Sequence, residues 1–108
     1  MARISTHILD ISKGAPLAGV HVELYLGGTL VASAITNADG RTDAPLYSGE
    51  EIPVGRYELL FYVGSHFETM GVPFFDDIPI RFGVDDAHGH YHVPLLVAPH
   101  GYTTYRGS

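Results

Sequence analysis

The chain has 108 residues, with six Lys and Arg against twelve Asp and Glu, for a formal charge of −6. That length suits a single domain over residues 1–108, and the acidic balance argues against nucleic acid as a partner, because a negative surface repels a phosphate backbone. Cysteine is absent, which excludes disulfides, thiolate metal sites and a cysteine nucleophile.

The opening residues Met1–His7 carry one basic side chain and no following apolar run of the roughly 7–15 residues that a secretory signal needs. A cytoplasmic location is therefore expected. No stretch approaches the roughly 20 apolar residues of a membrane helix, so no membrane association is expected either. The first strand is expected over Ile4–Asp10. Val22, Leu24 and Leu26 then alternate with His21, Glu23 and Tyr25, which is the period of a half-buried strand. Gly27-Gly28 follows and reads as a tight hairpin, because two successive residues with positive φ suit glycine. The partner strand is expected over Leu30–Thr36, and Asn37-Ala38-Asp39-Gly40 is a second turn signal. Tyr57, Leu59, Phe61 and Val63 form the next alternating row. Ser65–Gly71 is the one place for a helix, one or two turns long, with Ser65 as cap and Gly71 as terminator. Two more rows follow, Ile78, Ile80, Phe82 and Val84, then Tyr91, Val93, Leu95 and Val97. Pro94 lacks a ladder donor and suits an edge or a bulge. A final strand is expected over Tyr102–Arg106. Short strands separated by turn signals argue an all-β sandwich.

Seven histidines stand in the chain, three of them at alternate positions in His88-Gly89-His90-Tyr91-His92. Three imidazoles on one face of a strand can ligate zinc or copper. Alternatively, Asp85-Asp86-Ala87 and Gly89 keep His88 in a turn, and only His90 and His92 share a face. Imidazoles also serve proton transfer, since their ordinary pKa of about 6.5 lies near neutrality. Arg41, after the second turn, either offers its donor fork to a carbonyl-rich or anionic ligand or pairs with Asp39 or Asp43 at the surface. The Gly-x-Ser-x-Gly, His-Glu-x-x-His, Walker and Gly-x-Gly-x-x-Gly motifs are all absent.

Thr6-His7-Ile8-Leu9-Asp10, Thr36-Asn37-Ala38-Asp39-Gly40-Arg41-Thr42, His90-Tyr91-His92-Val93-Pro94-Leu95-Leu96 and the terminal Tyr105-Arg106-Gly107-Ser108 resemble the transthyretin-related 5-hydroxyisourate hydrolases, in order and along the whole chain. The terminal Tyr-Arg-Gly-Ser distinguishes those hydrolases from the hormone-carrying transthyretins. The resemblance implies a prealbumin-like sandwich of two four-stranded sheets with one short helix. It also implies a homotetramer built as a dimer of dimers, with active sites at the dimer–dimer interface. The segment Glu68–Pro73 is shorter than in many members, which leaves the helix length open. The implied reaction is hydrolysis of the small molecule 5-hydroxyisourate without metal or other cofactor. Carried over position by position, the catalytic set is His7, Arg41, His92 and Ser108, with His92 favoured as base. Substrate binding falls to His7, Arg41, Tyr105, Arg106 and Gly107. His90 is left as a neighbour of the site, and His21, His66, His88 and His100 as surface residues. The rival readings are a transthyretin-like carrier of a small aromatic ligand and a metal protein using His88, His90 and His92.

Overall fold

The computed structural model describes the backbone of residues 1–108 and every side chain except those of Thr69 and Met70. Nine strands form in chain order: β1 (Ala2–Asp10), β2 (Ala15–Pro16), β3 (His21–Leu26), β4 (Thr29–Ile35), β5 (Tyr47–Gly49), β6 (Gly55–Phe61), β7 (Ile78–Val84), β8 (His90–Ala98) and β9 (Gly101–Thr104). One sheet runs β4-β3-β6-β7 and the other β2-β1-β8-β9, with β5 also on β1. β8 takes one edge of β1, pairing parallel from Arg3↔His90 to Asp10↔Val97. The other edge is shared end to end. β5 pairs Ala2–Ile4, Arg41 bridges His7, and β2 pairs Leu9 and Asp10. The sheet thus holds five strands but is four wide, as the family resemblance implies.

The alternating rows build the core between the sheets. Ala2, Ile4 and Ile8 of β1 and Tyr91, Val93, Leu95 and Val97 of β8 face Val22, Leu24, Tyr57, Leu59 and Phe61 of the other sheet, all buried. Two polar side chains on the inward row of β1 are satisfied locally. Thr6 Oγ1 donates to the Val93 carbonyl at 2.7 Å, and the Asp10 carboxylate accepts from the Ser12 N–H at 2.9 Å. The opposite row of each strand is left facing outward.

The turns follow the sequence signals. Gly27 and Gly28 have φ of 57° and 85°, the positive pair a twisted two-residue hairpin requires. Asn37 Oδ1 accepts from the N–H groups of Asp39 (2.9 Å) and Arg41 (3.3 Å), and so shapes the loop that carries Arg41. The helix is a 3₁₀ segment over Gly64–Met70 between β6 and β7. Its N-cap is Val63, with no side-chain bond, so Ser65 does not cap it. Gly71 does end it, at φ 93° with its N–H on the Glu68 carbonyl.

Pro94 sits inside β8, opposite His7, and there is no bulge. Its missing donor shows on the other side, where the β9 ladder stops at Leu95↔Thr104. The chain then returns to β8 in the same register at the isolated bridge His92↔Gly107, so the last strand is shorter than expected. Among the described residues no helix is long and apolar enough to cross a membrane.

Candidate active site

The outward row of β1 carries Arg3, Ser5 and His7, and that of β8 carries His90 and His92. The parallel register sets Ser5 directly against His92 and Arg3 against His90. Arg41 joins the same face because residues opposite one another in a ladder project to the same side, and Arg41 stands opposite His7. The tail closes the group. The Gly107 N–H donates to the His92 carbonyl at 2.8 Å, which brings Ser108 in behind it. Arg3, Ser5, Thr6, Arg41–Pro45, His90–His92 and Ser108 line one cleft of ≈ 280 Å³. His7 is half-buried beside it. A larger cavity of ≈ 720 Å³ beside the Gly27–Gly28 hairpin is lined by Tyr25, Arg56, Tyr57 and Phe82 and contains neither histidine nor serine. The smaller cleft is therefore the one equipped for proton transfer.

Burial pushes the pKa of His92 below the ordinary histidine value, and Arg41, His7 and Arg3 nearby push it further the same way. A histidine so placed is neutral at pH 7 and free to accept a proton. Its Nδ1 lies 2.8 Å from Ser5 Oγ.

The structure thus brings together Arg41, His92, Gly107 and Ser108, with His7 alongside. Tyr105 and Arg106 lie elsewhere within the chain. They line a separate groove of ≈ 190 Å³ between β7 and β9, with Ile80, Phe82 and Val93. Tyr105 is 57% exposed, and the Arg106 guanidinium stacks 4.4 Å above the Tyr91 ring while Nη2 donates to the His90 carbonyl at 3.2 Å. The His90 ring bonds the Met1 carbonyl. His88 belongs to the turn before β8, its N–H on Asp86 Oδ1 at 2.9 Å. Among the described residues no three His, Asp or Glu side chains gather as a metal site. His21 and His88 are exposed, with carboxylates of Glu23 and Glu51 at 3.7 Å and 3.6 Å, and His100 lies against Phe74. Ser5 and Arg3 were not singled out from sequence. The signal was available, since period 2 places both on the face of His7.

Comparison with known proteins identifies the family. The profile of the HIUase/Transthyretin family matches residues 4–107. A 5-hydroxyisourate hydrolase of Halalkalibacterium halodurans is 51% identical over 98% of this chain and 98% of its own. A solved Klebsiella pneumoniae 5-hydroxyisourate hydrolase superposes with a TM-score of 0.88 at 42% identity, covering 100% of both chains. Transthyretin from Sparus aurata superposes with a TM-score of 0.86 at 28% identity, covering 97% of this chain and 96% of its own. The chain belongs to the HIUase/Transthyretin family.

Proposed function

We propose that this protein hydrolyses 5-hydroxyisourate to 2-oxo-4-hydroxy-4-carboxy-5-ureidoimidazoline. The observation that carries this reading is the shared cleft: a neutral, partly buried His92 with the donor-only guanidinium of Arg41 and the hydroxyl of Ser108. Water is a poor nucleophile at neutral pH and needs a positioned base. His92 takes a proton from the water as its oxygen attacks the lactam carbonyl. The carbonyl oxygen becomes negative, and Arg41 binds it more strongly in that state than in the ground state. Collapse of the adduct breaks the C–N bond, and the proton passes from the imidazolium to the departing nitrogen. His7 and Ser108 orient the water. The substrate is small, flat and dense in N–H and C=O groups, which suits a polar cleft of this size. No metal or organic cofactor enters these steps.

Assembly as a tetramer, a dimer of dimers, belongs to the same reading. Edge strands β7 and β9 leave one side of each sheet open for a second copy, and closed symmetric assemblies are the rule among homo-oligomers. In such an assembly the exposed Tyr105 is available to a cleft shared between copies, where its phenol, with Arg106 and Gly107 beside it, contributes to substrate binding.

The test is spectrophotometric. Freshly generated 5-hydroxyisourate decays spontaneously, and the protein is expected to speed that decay well above background. No acceleration at micromolar protein would overturn the reading. The transthyretin likeness of the fold favours a second reading, a small-ligand carrier. Tight binding of an iodinated aromatic hormone without turnover would select it.

A further inference from the structure

Ser5 faces His92 in the cleft, and the proposed reaction leaves it without a role. Its Oγ lies 2.8 Å from His92 Nδ1. Two paired strands set this contact, since Ser5 and His92 are register partners. The next residue locks that register, because buried Thr6 donates to the Val93 carbonyl at 2.7 Å. The imidazole is also held on another edge. A β-carbon at Gly107 would sit 2.5 Å from His92 Cδ2, so the tail backbone lies flush against the ring. With Nδ1 engaged and Cδ2 covered, Nε2 is the nitrogen left for the cleft.

A neutral imidazole carries one N–H, and the partner of one nitrogen decides the state of the other. Arg41 and Arg3 both line the same cleft, and a guanidinium has only donors. A ring nitrogen turned toward those cations is stabilised as a lone pair and destabilised as an N–H. We propose that Ser5 is a positioning residue, its Oγ accepting the Nδ1–H of His92 and so fixing the tautomer whose Nε2 lone pair faces the cleft. This inference rests on the hydrolase reading for its role in catalysis, but the tautomer itself does not depend on activity.

The experiment is long-range proton–nitrogen NMR on the full chain labelled with ¹⁵N-histidine, at a pH above the His92 titration. A protonated Nδ1 and a pyridine-like Nε2 are expected for His92. Ser5→Ala should lose that preference, and Ser5→Thr should restore it. In parallel, Ser5→Ala should lower kcat about tenfold with KM within about twofold, again with recovery in Ser5→Thr. An Nε2-protonated His92 in the unmodified protein, or an unchanged tautomer in Ser5→Ala, overturns the proposal. The spectrum of the unmodified protein decides the matter even if Ser5→Ala fails to fold. Should that spectrum be as expected while 5-hydroxyisourate is not turned over, the hydrolase reading fails and the tautomer assignment stands.

Discussion

Gly107 lies so close to His92 that a β-carbon would approach the imidazole Cδ2 to 2.5 Å. That distance is far inside van der Waals contact, and the neighbour is a ring held at Nδ1 by Ser5, so neither side yields easily. Gly107→Ala is expected to displace either the ring or the tail and to lower kcat by about tenfold or more, on the scale of misplacing one general base. The melting temperature should change little, because Gly107 itself packs on the cleft face against His92, outside the core between the sheets. Steady-state kinetics beside a thermal melt checks both halves of the expectation.

Arg41 enters the proposed reaction in two ways. As the proposed partner of the developing oxyanion, its loss in Arg41→Ala is expected to cost about 10²–10³ in kcat. Arg41 is also one of the charges that lower the His92 pKa, second to burial. The acid limb of kcat/KM in the unmodified protein should therefore have its midpoint below the ordinary histidine value of about 6.5. Removing the cation relieves part of the depression, so the midpoint in Arg41→Ala should move up. A midpoint unchanged or moved down would show that another group governs the limb.

Ser108 lines the cleft, and the backbone bond from Gly107 to His92 holds it there. Deleting Ser108 alone should leave that bond in place. Turnover is expected to fall by at least about tenfold if the hydroxyl orients the attacking water. Ser108→Ala should match the deletion. Full activity in either variant would reduce the residue to a spacer.

Gly40 is required by the fold. It has φ of 72°, its carbonyl accepts from the Ile8 N–H at 2.8 Å, and a β-carbon there would meet the Ile8 carbonyl oxygen at 2.3 Å. Backbone strain of this kind costs about 1–3 kcal/mol, and Gly40→Ala should destabilise by at least that amount in urea unfolding. Because Arg41 follows directly, activity should fall more than the population of folded protein does.

Most of the fold was legible because alternation is a direct imprint of a sheet with one buried face. The row Tyr91, Val93, Leu95 and Val97 points to the core, and that alone fixes His90 and His92 as outward. The parallel neighbour of β8 was not legible, because no local pattern states that Ser5 will meet His92 across the length of the chain. The place of Arg41 was hidden for the same reason, since it follows from the loop closing onto a free stretch of β1. The helix was mis-capped because a short 3₁₀ segment needs no side-chain acceptor at its start. Tyr105 and Arg106 stood in the sequence motif with Gly107 and Ser108, yet alternation and the Tyr91 ring draw Arg106 to the other side of the sheet.

The shared edge of β1 has a consequence beyond catalysis. A long strand with bare amides along one side is a template for foreign chains, and stacking onto such an edge is a common start of aggregation. Here β5, the Arg41 loop and β2 cover that side in succession, leaving no uninterrupted run of donors and acceptors for a stray segment to zip onto. The loop that delivers the guanidinium is therefore also a guard on the sheet, and loosening it should expose both the chemistry and the solubility of the protein to the same damage.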